Sequence, residues 1–121
     1  MRGALAIAVA AAALLVPAGA AGDAPGRLLV RGFEYDLVLS RAKLDPGRAL
    51  IQFANSGEDP HDLWIHRLGG IRYRTVGELG PGDQGEIELH LRRGSRYEMW
   101  CSLADHRDLG MEATLRVRRH R

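Results

Sequence analysis

One short segment near the C-terminus carries three side chains that bind soft metal ions. Cys101 ends a run of strand-like alternation, His106 follows after four residues, and Met111 follows after four more. Thiolate, imidazole and thioether are donors that favour transition metals. Because they share one loop between two runs of alternation, we expect them to converge on one ion. A second imidazole is needed, and Asp59-Pro60-His61-Asp62-Leu63 offers one where a loop enters a strand.

Each of these residues alone has an ordinary structural interpretation. A lone Cys101 is more often a buried inert thiol, and a lone Met111 is more often core filler. His106 could be an exposed loop residue and His61 a turn residue. The metal hypothesis depends on the four types occurring together in one order. We expect no ligand outside this set. His66 lies five residues after His61 and so points to the opposite face of the strand, His90 lies among the polar positions of its strand, and His120 is in the C-terminal tail.

The single cysteine excludes several classes of protein. One thiol cannot form an intrachain disulfide, and it cannot supply the repeated Cys and His pairs of a zinc finger. A two-cysteine binuclear copper centre needs a second Cys, and a Cys–His protease would need a helix-borne nucleophile and a larger scaffold. A multicopper oxidase would need several domains and His-x-His pairs, and this chain has neither.

The N-terminus has the features of a secretory signal. Arg2 precedes the apolar run 4–16, Pro17 ends that run, and Ala18-Gly19-Ala20 offers small residues for cleavage. The run is shorter than the roughly 20 apolar residues of a membrane span. We therefore predict a signal peptide over 1–20, and an exported domain over 21–121 located in the bacterial periplasm or outside the cell. After cleavage we expect the domain not to insert stably into a membrane. The alternative is that the segment stays uncleaved as a signal anchor.

Alternating apolar and polar residues dominate the rest of the chain. Turn sequences such as Asp45-Pro46-Gly47 and Gly80-Pro81-Gly82-Asp83 separate the runs. Period-two alternation places one face in the core and the other in water. The pattern predicts an all-β sandwich or barrel of about seven to eight strands, with alternating runs at 33–40, 49–53, 87–91, 97–101 and 111–117.

The charge balance is mild, and it excludes a strongly basic domain. Seventeen Lys and Arg face fifteen Asp and Glu, which gives a net charge of +2. The basic residues at 116–121 are typical of a solvated chain end. We therefore expect no binding to nucleic acid.

Around these residues the sequence resembles the cupredoxin family of blue copper proteins, which includes plastocyanin and azurin. Asn55-Ser56-Gly57 ahead of His61 is similar to the family's first-ligand region, and Leu79-Gly80-Pro81-Gly82 to its middle turn. Gly94 and Tyr97 lead into the ligand loop as the family's closing strand does. The resemblance implies a Greek-key β-sandwich holding one type 1 copper ion, with the ligands His61, Cys101, His106 and Met111.

The resemblance also implies a function. It indicates a monomeric one-electron carrier that cycles between Cu(I) and Cu(II), is not an enzyme, and docks redox partner proteins near His106. Leu103 and Leu109 would form a small apolar patch there. The alternative is a copper carrier or store without a redox role. Only three methionines occur, Met1 included, and this favours electron transfer over metal handling.

The chain departs from the family pattern at two places beside the ligands. Ala104-Asp105 stands where many relatives have Pro-Gly, and Asp62 stands where many have Asn. We expect a less rigid loop and, because negative charge favours Cu(II) over Cu(I), a lowered reduction potential.

Overall fold

The computed structural model describes residues 3–15 and 22–121, and the regular structure in them is β-strand. Within that part of the chain no helix is long and apolar enough to cross a membrane. Residues 3–15 are exposed and have no regular structure. The predicted cleavage segment 17–20 lies outside the described residues, so the signal peptide stays a prediction.

Within residues 22–121 of the described chain, nine strands form the folded domain. They are β1 (Gly26–Phe33), β2 (Asp36–Leu39), β3 (Lys43–Leu44), β4 (Gly47–Asn55), β5 (His61–Arg67), β6 (Tyr73–Leu79), β7 (Gln84–Leu91), β8 (Arg96–Trp100) and β9 (Glu112–Val117). The all-β prediction is confirmed. The strand number exceeds the expected seven to eight, and one of the strands, β3, is only two residues long.

The strands form two sheets of mixed direction. One has the order β2-β1-β4-β7 and the other β3-β9-β8-β5-β6. β1 runs parallel to β4 and β3 parallel to β9, whereas the other neighbours are antiparallel. Because β5 and β8 are antiparallel neighbours, the start of β5 and the end of β8 lie at the same end of the sandwich.

Apolar side chains at alternate positions of the strands fill the core between the sheets. Along β4 the side chains of Ala49, Ile51 and Phe53 are fully buried, and along β8 those of Tyr97 and Met99 are buried. Burying an apolar side chain of this size stabilises the fold by roughly 2 kcal/mol. The apolar parity read from these strands therefore sets which face of each sheet points inward.

The run at 33–40 is not one strand, as the alternation suggested. β1 ends at Phe33, β2 begins at Asp36, and the two residues are partners in an antiparallel hairpin. The strand prediction is wrong there because a two-residue turn preserves the alternating pattern on either side of it. The turn residues Glu34 and Tyr35 consequently project at a tip, and that tip reaches the metal-binding end of the molecule.

Candidate metal centre

Three of the four predicted ligands lie at the ends of strands, and the fourth, His106, lies in the loop between β8 and β9. His61 begins β5, Cys101 directly follows β8, and Met111 directly precedes β9. Hydrogen bonds close the intervening loop: the Cys101 amide donates to the Met111 carbonyl at 3.1 Å, and the Met111 amide to the His106 carbonyl at 3.0 Å. All four side chains are buried.

Three donor atoms form a compact triangle. His61 Nδ1 lies 3.3 Å from His106 Nδ1, and Cys101 Sγ lies 3.9 Å from the first nitrogen and 3.6 Å from the second. A point in the plane of such a triangle is about 2.1 Å from all three atoms, close to a metal–nitrogen bond length. The residues present therefore fit a metal ion bound by two imidazoles and one thiolate.

The fourth predicted ligand closes this end of the core. Met111 is fully buried and is joined through its backbone to both Cys101 and His106. A Cβ at Gly32 would come within 3.1 Å of the Met111 methyl carbon. The absence of a side chain at Gly32 thus leaves room for Met111.

The segment before His61 is fixed by one buried amide. Asn55 donates from Nδ2 to the carbonyls of Asp59 and Leu79, at 2.8 and 2.9 Å, and accepts from the Gly57 amide. The register between β5 and β6 then shifts between His61 and Leu63. This bulge allows His61, Asp62 and Leu63 to be buried in succession, against the usual alternation.

Asp62 ties β5 to the residue after the thiol. Its Oδ1 accepts from the Ser102 amide at 2.6 Å, and its Oδ2 accepts from the Ser102 hydroxyl and from Trp64 Nε1.

Burial raises the pKa of the Cys101 thiol above its ordinary value. In the absence of a metal the thiol therefore keeps its proton, and a metal that binds the thiolate must release that proton.

A carboxylate that the sequence analysis did not single out holds the far side of His61. Glu34 Oε1 lies 2.9 Å from His61 Nε2 and also accepts from the amides of Glu58 and Asp59, each at 2.7 Å. The Asp59 amide is the main cause that lowers the pKa of Glu34 to about 2. Glu34 is therefore ionised, and it fixes the proton of His61 on Nε2, which leaves Nδ1 to bind a metal.

Tyr35, the other residue of the hairpin tip, packs against the second imidazole. Its ring centroid lies 4.8 Å from that of His106, and its hydroxyl donates to Asp59. The β1–β2 tip thus contacts both candidate imidazoles, one through Glu34 and one through Tyr35. No local motif marks these two residues, because Glu34 lies 27 residues before His61.

The two residues predicted to form an apolar patch beside His106 differ in exposure. His106 is 8% exposed, Leu109 is 53% exposed, and Leu103 is half-buried against the core. The remaining histidines lie elsewhere. His66 stacks on Tyr73 at 4.2 Å between ring centroids, and His90 lines a cleft with Arg67 and Tyr97.

The ligand loop contains one residue in an unfavourable backbone conformation. Ala104 has a φ of 45°, in the left-handed region that disfavours side chains with a Cβ. Ala104→Gly is therefore expected to stabilise the protein by about 1 kcal/mol. Thermal unfolding of the metal-free protein measures the change in stability. Ala113→Gly, in strand β9, is the matched control and should destabilise; equal destabilisation by both changes would contradict the prediction.

Comparisons with known proteins rest on structure. No protein-family model and no curated protein matches this sequence. An auracyanin from Roseiflexus castenholzii, solved in its dithionite-reduced form, has a TM-score of 0.61 and 16% identity over 79% of this chain and 98% of its own.

Two further structures are similar at low identity. A purple cupredoxin from Nitrosopumilus maritimus has a TM-score of 0.53 and 20% identity, over 76% of this chain and 98% of its own. Auracyanin A, a "blue" copper protein from Chloroflexus aurantiacus, has a TM-score of 0.53 and 12% identity, over 76% and 99%. The resemblance in sequence and these likenesses agree, and this chain has the cupredoxin fold.

Proposed function

We propose that the protein binds one type 1 copper ion and carries single electrons between partner proteins. The observation that carries the proposal is the buried triangle of His61 Nδ1, His106 Nδ1 and Cys101 Sγ. Met111 would supply a thioether as a weak fourth ligand. When bound, copper supplies a one-electron couple between Cu(I) and Cu(II).

The donor set favours copper over zinc. Structural zinc sites take four ligands from Cys, His and carboxylates in a tetrahedron. Here three such donors cluster among the described residues, and the fourth side chain is a thioether, the donor set of type 1 copper sites. The auracyanin and cupredoxin likenesses support the same choice.

The way in which the imidazoles are held favours electron transfer over metal storage. Glu34 and the β5 bulge fix His61, while Tyr35 and two loop hydrogen bonds fix His106. Ligands held by packing move little when the charge on the metal changes. Buried donors are also poorly placed for handing a metal to another protein. Partners would dock at the exposed edge near His106 and Leu109.

Stopped-flow reduction and reoxidation of the copper-loaded protein tests this function against copper carriage. The proposal expects fast electron exchange with a small redox protein and slow loss of copper to a chelator. Slow electron exchange combined with rapid copper release would instead indicate a copper carrier.

We further propose that residues 1–20 direct export and are removed. N-terminal mass spectrometry of the exported protein would test this proposal.

Asp105 is an exposed carboxylate next to His106 in the sequence, and we expect its charge to have a small effect on the reduction potential. Asp105→Gly is expected to raise the reduction potential by about 20 mV, because an exposed charge is screened by water and salt. Voltammetry of the copper protein at low salt measures the shift. Asp108→Gly, farther along the loop, is the control; an unchanged potential in Asp105→Gly would contradict the expectation.

A further inference from the structure

The end of the sandwich opposite the metal centre carries an apolar tip. β5 runs from His61 to Arg67, so its far end lies roughly 20 Å from the candidate ligands. The β5–β6 hairpin turns there through Leu68-Gly69-Gly70-Ile71. Ile71 is 91% exposed and Leu68 is 44% exposed. Two aliphatic side chains at a projecting tip are unusual in a surface that otherwise carries many charges.

The tip is held in shape by its own side chains. His66 Nε2 lies 2.8 Å from the Gly70 carbonyl oxygen, and the His66 ring stacks on the Tyr73 ring. Gly69 adopts a φ of 78°, which only glycine takes readily. The exposed Ile71 therefore projects from a structured turn.

Arginines flank this tip, because Arg67 directly precedes it and Arg72 directly follows it. Arg67, Arg72 and Arg74 line one cleft beside it, and Arg67 also lines a second cleft of about 760 Å³ with arginines from the β7–β8 turn and the C-terminus. No carboxylate is among the described residues that line the two clefts. We call this surface the basic pole and define it by Arg67, Arg72, Arg74, Arg92, Arg93 and Arg119.

The positive charge of the basic pole is largely uncompensated. Two C-terminal arginines near the basic pole are paired: Arg118 with Asp45, and Arg121, which lines the second cleft, with Asp23. Among the described residues, no ion pair involves a residue of the basic pole. Guanidinium groups gathered without counter-charges repel one another, and an anionic partner would relieve that repulsion.

We propose that the basic pole docks the protein on the surface of an anionic phospholipid bilayer. Ile71 and Leu68 would enter the boundary between headgroups and acyl chains, and the flanking guanidinium groups would bind lipid phosphates. Tyr73, 55% exposed beside the tip, suits the same interfacial depth. An apolar tip flanked by arginines matches an apolar layer bounded by phosphates; a nucleic acid would leave Ile71 without a partner.

This docking leaves the candidate metal centre free. The two sites lie at opposite ends of β5, so a protein seated on its basic pole presents His106 and Leu109 away from the bilayer. Partners could then meet the metal end while the protein stays at the membrane. Docking does not depend on copper, so metal-free protein should bind equally well.

Cosedimentation with vesicles tests the proposal. The full-length gene is expressed in a host that exports the protein, and mass spectrometry establishes the N-terminus that all variants share. Vesicles contain phosphatidylcholine alone or mixed with phosphatidylglycerol. We expect binding to be stronger with phosphatidylglycerol and to weaken with salt. Ile71→Ser and Arg72→Gln should each weaken binding to the mixed vesicles about fivefold.

Two neighbours across the β1–β2 hairpin supply matched controls. Val38 is exposed, its register partner Arg31 is also exposed, and both lie on the other sheet. Val38→Ser and Arg31→Gln should bind as the wild type does. Equal weakening by Arg31→Gln would reduce the effect of Arg72 to net charge, equal weakening by Val38→Ser would show that the apolar tip is not special, and either result would overturn the proposal. Unchanged binding of Ile71→Ser would also overturn it, and would point to an acidic protein as the partner of the arginines.

Discussion

A Cys101→Ser variant is expected to take up Cu(II) without the intense visible absorption band of the wild-type protein. The band arises from charge transfer between a thiolate and copper, and a serine hydroxyl does not ionise near neutral pH. Cys101 contributes one of the three corners of the donor triangle, so the variant keeps only the imidazoles of His61 and His106. The expected outcome is loss of the band together with markedly weaker copper binding.

Visible spectra recorded during titration with Cu(II) measure both effects. His66→Gln is the matched control, because His66 also lies on β5 but contacts Tyr73 and Gly70 outside the site. That variant should keep the full band. Far-ultraviolet circular dichroism of the metal-free proteins shows whether the serine variant folds. A wild-type protein that remains colourless with copper would defeat the proposed site, whatever the variant does.

Glu34→Gln is expected to raise the reduction potential by on the order of 100 mV. The Glu34 carboxylate is ionised and accepts a hydrogen bond from His61, so its negative charge stabilises Cu(II) over Cu(I). Glutamine removes the charge and retains an oxygen that accepts from His61 Nε2. Loss of the charge should also weaken Cu(II) binding, within the roughly 10-fold to 100-fold range of changes to such supporting groups.

Two other variants separate the charge of Glu34 from its position. A Cβ at Gly57 would lie only 2.3 Å from Glu34 Oε1, so Gly57→Ala should displace the carboxylate while keeping its charge in the protein. We expect a smaller rise in potential from Gly57→Ala than from Glu34→Gln. Glu88→Gln, on the surface of β7 and paired with Arg48, should leave the potential unchanged. A Glu34→Gln potential equal to that of the wild type would refute the role of the carboxylate.

The β1–β2 tip contacts the candidate metal centre beside the surface proposed for partner docking. Glu34 holds His61, and Tyr35 packs on His106 beside the exposed Leu109. The backbone carbonyl of Tyr35 also lies where a Cβ at Gly110 would come within 3.2 Å. One hairpin thus contacts the first imidazole, the second imidazole and the loop that joins them. This contact explains how a ligand loop with Ala104-Asp105 in place of Pro-Gly is held in a defined shape.

Much of the fold and of the candidate site follows from local patterns in the sequence. Apolar parity predicted the buried faces of β4, β8 and β9, because neighbouring side chains in a strand point to opposite faces. The short spacing of Cys101, His106 and Met111 predicted one ligand loop. The position of His61 where a loop enters a strand made it a candidate, and the resemblance to the cupredoxin family assigned it as a ligand, since no local spacing joins it to the loop.

Only the tertiary structure decided which distant residues support the site. Glu34 and Tyr35 lie in what alternation indicates as a strand, and pairing of β1 with β2 turns them into a tip beside the imidazoles. The basic pole is likewise assembled from β5, β6, the β5–β6 and β7–β8 connections and the C-terminus. Parity and spacing report on neighbours along the chain, whereas sheet order and register determine which ends of strands meet in space.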